Sequence, residues 1–169
     1  DGLQSPSVRA PTIDQKIHIL HLIDRLGIDA ADIGLPGAGA QIARDVERLA
    51  REIVDARLKV RPNCAARTHI NDIIPIVDAV QKTGLPIECC AFIGSSPIRQ
   101  YTEGWTLDWL LKNTDEAIGF AVKEGLQVTY VTEDTTRADP DTLRAIYRSA
   151  IRAGASRICI ADTVGHATP

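Results

Sequence analysis

A chain of 169 residues has room for one domain with a real core, and 44% hydrophobic with 24% charged residues is globular composition, not disordered or fibrous. The net charge of −3, with Lys and Arg scattered along the chain, argues against nucleic acid as a partner, because phosphate binding needs a concentrated basic face. No apolar run approaches the roughly 20 residues that span a bilayer and no signal-like amino terminus is present, so a cytoplasmic protein with no membrane partner is expected.

Thr12 to Leu26 places Ile13, Ile17, Leu20, Ile23 and Leu26 on one helical face behind Thr12 as N-cap, with His18 and His21 on the helix surface. A strand near 30–34 ends in Asp32-Ile33-Gly34. Gln41 to Ala56 reads as a second helix, with Ile42, Val46, Leu49 and Ile53 inward and Arg44, Asp45, Glu47, Arg48 and Arg51 outward. A strand near 59–65 leads to Arg67. Asn71 to Lys82 is a third helix opened by Thr68 or Asn71, and Pro75 is tolerable in its first turns. After a strand near 87–94, Ser95-Ser96-Pro97 predicts a turn. Thr106 to Glu124 is a longer helix with Trp105 and Trp109 near its start. A strand near 127–132 then runs into Glu133-Asp134-Thr-Thr-Arg137. The Asp139-Pro140 start signal opens a helix to Ala153, and a strand near 157–161 precedes Asp162-Thr163-Val-Gly165-His166. Gly27, Gly84, Gly125 and Gly154 mark helix-to-strand junctions.

Strict alternation without hairpin signals means a parallel sheet, so all five strands aim their carboxyl ends, and the polar groups beyond them, at one rim. Strand starts fall roughly 28 to 40 residues apart, near the unit length of an eight-unit barrel of about 250 residues. An open doubly wound sheet would also fit the length, but Gly34-Leu-Pro-Gly37-Ala-Gly39 lacks the G-x-G-x-x-G spacing of a phosphate loop. The expected fold class is therefore α/β, a partial (β/α)8 TIM barrel carrying roughly strands 2 to 6. Cys64, Cys89, Cys90 and Cys159 lie in apolar strand-like runs without paired zinc spacing and are expected to be buried, reduced thiols, with a reactive Cys90 at the rim as the alternative.

Asp1-Gly-Leu-Gln4-Ser-Pro, Gly34-Leu-Pro36, Phe92-Ile-Gly-Ser-Ser96-Pro97, Glu133-Asp134-Thr-Thr-Arg137 and Asp162-Thr-Val-Gly165 follow the order found in metal-dependent Claisen-condensing TIM barrels. Over essentially all 169 residues the chain resembles the 2-isopropylmalate synthase family and its homocitrate and citramalate synthase relatives, with hydroxymethylglutaryl-CoA lyase more distant. The resemblance implies that residues 1–169 are an incomplete HMGL-like (pyruvate carboxyltransferase-type) catalytic barrel domain of an acyltransferase that condenses acetyl-CoA with a 2-oxo acid, as in leucine biosynthesis. Homocitrate or citramalate synthesis, or carbon-carbon cleavage of the lyase type, are the alternatives within it.

By that resemblance Asp1 ligates a divalent cation (Mg, Mn or Zn), Gln4, Arg67, Ser96, Arg137 and Thr163 bind substrate, and Glu133 and Thr163 take part in catalysis, Glu133 with Arg137 ordering the rim. The chemistry implied is polarisation of the ketone by the metal, loss of a methyl proton from acetyl-CoA, addition of the carbanion and release of CoA by water. The whole enzyme is expected to form homo-oligomers. Asp1, Arg67, Glu133 and Thr163 should then meet in one ligand-sized concavity.

Each residue has a plainer reading beside this one. Asp1 suits an ordinary turn, Glu133-Asp134 a helix start, Asp162-Thr163 an N-cap, and Arg99 and Arg137 surface ion pairs. The sequence also departs from the family: no arginine precedes Asp1, Asp32 stands where a glutamate is common, Cys90 replaces a histidine, and His166 is solitary where a His-x-His pair would supply two ligands. A chain of this extent is expected to be inactive by itself. A non-catalytic small-molecule-binding α/β domain remains the reading from another class.

Overall fold

In the computed structural model, which describes residues 9–168, the elements run α1 (Ile13–Arg25), β1 (Ala30–Asp32), α2 (Ala40–Asp55), β2 (Arg61–Arg67), α3 (Ile70–Thr83), β3 (Glu88–Gly94), α4 (Pro97–Glu103), α5 (Leu107–Lys123), β4 (Val128–Glu133), α6 (Pro140–Ala153) and β5 (Arg157–Ile160). One-turn 3-10 helices follow β1 at Pro36–Ala38 and β4 at Thr135–Arg137. The five strands are all parallel and lie in chain order, β1-β2-β3-β4-β5. With no reversal of order there is no switch point, so the doubly wound alternative falls and the sheet is part of a (β/α)8 barrel.

The local signals act as their chemistry requires. Thr12 and Gln15 form a reciprocal capping box at α1, and Asp139 caps α6 ahead of Pro140. The four junction glycines take positive φ, from 69° to 106°. Two expectations need correction. Ser95-Ser96-Pro97 is not only a turn: Ser96 caps the seven-residue α4 and Pro97 occupies its first position, a combination that starts helices. At α3 neither Thr68 nor Asn71 is the cap. His69 is, its Nδ1 accepting the Asn71 N–H at 3.1 Å, because β2 runs on to Arg67 and Thr68 is used elsewhere.

One face of the sheet presents Cys64, Ala66, Cys89, Ala91, Ile93, Val128 and Tyr130 to helix residues that include Val46, Leu49, Ile76, Ile118 and Ile146, all buried. Small strand residues let the helices approach. Polar groups in this layer are matched: Tyr130 Oη bonds Thr114 Oγ1 at 2.8 Å, and Thr132 Oγ1 bonds Tyr147 Oη at 2.7 Å. No buried side-chain nitrogen or oxygen among the described residues lacks a partner. The alternate strand residues, such as Ala65, Cys90, Phe92, Thr129 and Val131, are half-buried on the opposite face, which in a barrel looks inward.

The thiols divide along these two faces. Cys64 and Cys89 are fully buried, whereas Cys159 is exposed, contrary to the expectation that all four are covered. Burial pushes the thiols of Cys89 and Cys90 up to about 12 and raises that of Cys64 well above the ordinary thiol range, which starves them of thiolate at neutral pH. An aromatic disulfide reagent should therefore label Cys159 first and reach Cys64 and Cys89 only on unfolding. Rapid release of more than one equivalent from the native chain, located by mass spectrometry at Cys64 or Cys89, would contradict this placement.

Candidate active site

At the carboxyl rim a polar residue just beyond β2, β3 or β4 donates to a carbonyl at or near the end of the strand that follows. Thr68 gives both its N–H and its hydroxyl to Phe92 O, at 3.0 and 2.9 Å. Ser95 does the same to Glu133 O, at 3.2 and 3.0 Å, and Thr135 N–H reaches Ala161 O at 3.1 Å. These stitches link the carboxyl ends of β2, β3, β4 and β5 in succession. Glu133 is thus held by its backbone while its carboxylate remains available.

A cavity of about 490 Å³ opens above β2, β3 and β4 and under α4 and the start of α5. Its walls include Arg67 and Glu133 together with Asp72, Arg99, Glu103 and Trp105. Arg67 is oriented by a bidentate pair: Nε and Nη2 donate to the two carboxylate oxygens of Asp72 at 2.6 and 2.8 Å, and the Arg67 N–H adds a third bond at 3.2 Å. The Asp72 side chain is only 4% exposed and that of Arg67 66%, so the buried carboxylate anchors one edge of the guanidinium and leaves its remaining N–H groups facing outward. Asp72 is in turn packed against Gly37 of the turn after β1. A Cβ at residue 37 would lie 2.7 Å from Asp72 Cγ and 2.8 Å from its Cα.

Ser96, Arg137 and Thr163 gather beside this cavity instead of lining it, and what they meet is Asp134. Arg137 donates from Nε and Nη2 to the two Asp134 oxygens, both at 2.7 Å, the Asp134 N–H donates to Thr163 Oγ1 at 2.8 Å, and Ser96 helps to lower the Asp134 pKa from nearby. Arg137 therefore orders the rim through Asp134, not through Glu133. Asp134 sits in the left-handed region at φ 54°, a conformation that costs a non-glycine residue energy and that this knot of bonds maintains. Sequence reasoning gave Asp134 only a helix-start reading and no role at the site; its signal was the arginine three residues on, the spacing of a side-chain pair across one turn. Asp162 closes the same region by accepting the Thr136 hydroxyl and the His166 and Ala167 N–H groups. Asp1 and Gln4 lie outside the described residues.

The Arg137 guanidinium holds the Asp134 carboxyl below its ordinary range. A carboxylate lowered on folding stabilises the folded state fully above its unfolded pKa, about 3.9, and loses that contribution as pH falls toward the folded value. Urea unfolding between about pH 5 and pH 2 should then show a smaller fall in stability for Asp134→Asn than for the parent chain. Identical pH profiles would mean the Arg137 pair contributes nothing to this linkage.

The sequence matches a known family model, described as HMGL-like, across residues 1–169. The chain belongs to the HMGL-like family. Among the relatives of this HMGL-like chain, a probable 2-isopropylmalate synthase of Methanopyrus kandleri is 31% identical over 171 residues, covering 100% of the chain and 32% of the relative. A homocitrate synthase of Methanocaldococcus jannaschii is 32% identical over 177 residues, covering 100% of the chain and 40% of the relative. The HMGL-like chain thus spans well under half the length of these two relatives. A crystal structure of the HMG-CoA lyase of Bacillus subtilis superposes with a TM-score of 0.76 at 18% identity, covering 100% of the chain and 57% of that protein, which is a likeness of fold.

Proposed function

We propose that this segment forms part of the catalytic barrel of an acyltransferase that condenses acetyl-CoA with a 2-oxo acid, in the manner of a 2-isopropylmalate synthase. The observation that carries the reading is the meeting, in one rim cavity of an HMGL-like barrel, of an oriented guanidinium with a carboxylate that has no cationic partner. Of the three acids on the cavity wall, Asp72 is paired with Arg67 and Glu103 with Arg99, while Glu133 has no ion pair among the described residues. Arg67 holds the carboxylate of the oxo acid through its outward N–H groups. Glu133 takes a proton from the methyl carbon of the thioester, and the carbanion forms a bond to the ketone carbon as the C=O π pair moves to oxygen. That alkoxide is neutralised by the proton Glu133 holds, delivered directly or through water, and water then cleaves the thioester C–S bond to give the carboxylic acid and free CoA. Asp134 with Ser96, Arg137 and Thr163 keeps the rim beside Glu133 in place.

The family reading brings with it a divalent cation held by Asp1, which supplies Lewis-acid polarisation of the ketone when bound. Among the described residues no three His, Cys, Asp or Glu side chains are grouped to hold a metal ion. No helix among them is long and apolar enough to cross a membrane; the whole protein is proposed, on the family reading, to be a cytoplasmic homo-oligomer. The assay belongs on a protein in which this segment sits in a complete barrel. Free CoA should appear on mixing acetyl-CoA with 3-methyl-2-oxobutanoate or, for the homocitrate alternative, 2-oxoglutarate, and not with acetyl-CoA alone. No oxo-acid-dependent thiol release across such a panel would overturn the reading.

A further inference from the structure

Both tryptophans of the chain stand at the same cavity. Trp105 and Trp109 are stacked with ring centroids 4.6 Å apart and planes inclined by 12°, and the Arg99 guanidinium lies 5.7 Å from the centre of the Trp105 ring. Arg99 reaches that position because Gly94 has no side chain: a Cβ there would fall 2.6 Å from Arg99 Cγ. Glu103 holds the guanidinium from the other side at 2.9 Å. Trp105 precedes the Thr106 cap of α5 and Trp109 is the residue whose N–H Thr106 accepts, so the helix start itself brings the two indoles together. An apolar pair across a helix start needs only two aliphatic groups to fix the chain entry. Here the pair is two indoles at a cavity mouth; Trp105 is half-buried and engaged by both Arg99 and Trp109, while Trp109 remains 40% exposed.

We propose that the Arg99-Trp105-Trp109 stack is a platform on which a planar aromatic ring of a substrate adds as the next layer, against Trp109. Offset stacking on an indole is favourable for any flat ring and indifferent to its detailed hydrogen-bonding pattern. The neighbouring wall suits the edge of such a ring. His69 and Asn71 line it, and Asn113, whose amide nitrogen is tied to Thr68 O, keeps its carbonyl oxygen for another partner. A volume of 490 Å³ lies within the roughly 300–1,000 Å³ of small-molecule sites. The platform offers a ring and not a phosphate clamp, since its own cation, Arg99, is already paired with Glu103. Two carriers of a flat ring belong to the reaction proposed above, on which their naming rests: the adenine of the acyl-CoA thioester and an aromatic side chain on the 2-oxo acid.

Because the chain has two tryptophans and both are in the stack, its emission on excitation beyond the tyrosine absorption band reports on this site alone. The full chain is titrated with adenosine 3′,5′-bisphosphate, with phenylpyruvate, and with pyruvate as the ring-free control. Saturable quenching by the adenosine compound assigns the platform to the thioester, and saturable quenching by phenylpyruvate but not pyruvate assigns it to the oxo acid; both support it. Calorimetry should find the binding about tenfold weaker or worse in Trp109→Leu, the loss of one ring stack, and within about threefold of the parent in Trp109→Phe, which keeps a ring. Circular dichroism confirms that the variants are folded. No saturable change with either ring in the parent chain overturns the platform, as does unaltered affinity in folded Trp109→Leu. Quenching with no oxo-acid-dependent thiol release would overturn the acyltransferase reading and leave the platform standing.

Discussion

Replacing Glu133 by glutamine in a complete barrel should slow condensation by about a hundred- to ten-thousandfold, the usual worth of a positioned proton-transfer group. The fold should be untouched. The structural bonds at this residue are made by its backbone carbonyl, which Ser95 claims with two donors, and glutamine preserves them. The carboxylate itself takes part in no ion pair among the described residues and lines the cavity, so its loss costs proton chemistry and no packing. Thiol release at saturating substrate is the measurement, with urea unfolding as the control. A variant as active as the parent would remove Glu133 from the mechanism, and the Arg67 site would need another base.

Gly37→Ala should act on both stability and the oxo-acid site. The added methyl would lie 2.7 Å from Asp72 Cγ and 2.8 Å from its Cα, and a main-chain atom cannot rotate out of the way. Either the turn at Pro36–Ala38 or the first turn of α3 must move, at a cost of about 1–3 kcal/mol for overpacking of this kind. Asp72 carries Arg67 with it, so in a complete barrel KM for the oxo acid should rise more than kcat falls. A lower urea midpoint with unchanged slope is the stability signature. An unaltered midpoint would mean that the turn yields freely and that Gly37 is not part of the lock.

Much of this fold is legible in the sequence because its signals are local. Helical spacing from Ile13 to Ile23, the Asp139-Pro140 start and the glycines after the helices each act within a turn of chain, and the structure reproduces them, whereas Leu26, expected on the same apolar face, is the C-cap of α1 and 77% exposed. The strand ends are less legible. Arg67 reads as a turn residue beyond a strand near 59–65, yet it ends β2, because pairing with Phe92 on β3 extends the strand, and such pairing is a long-range contact. The candidate site divides in the same way. The motif order pointed to Arg67, Glu133, Ser96, Arg137 and Thr163 by resemblance, but not to what each touches. Asp72 and Gly37 sit in unremarkable surroundings in the sequence, and only the packing of two βα loops makes them a clamp on Arg67. The Trp105-Trp109 stack was visible as a pair near a helix start, without a hint that Arg99 joins it from across Gly94.

The order β1-β2-β3-β4-β5 also bears on how the chain can be made. Every strand from β2 onward finds its first hydrogen-bonding partner among residues already synthesised, so assembly can follow the ribosome from the amino end without waiting for a distant strand. In a doubly wound sheet, part of the chain must return past earlier strands before pairing. Here each new βα unit extends a growing edge, and the rim stitches Thr68 to Phe92, Ser95 to Glu133 and Thr135 to Ala161 close one after another in the same direction. The polar residues of the cavity are thereby set in place in order of synthesis, Arg67 before Glu133.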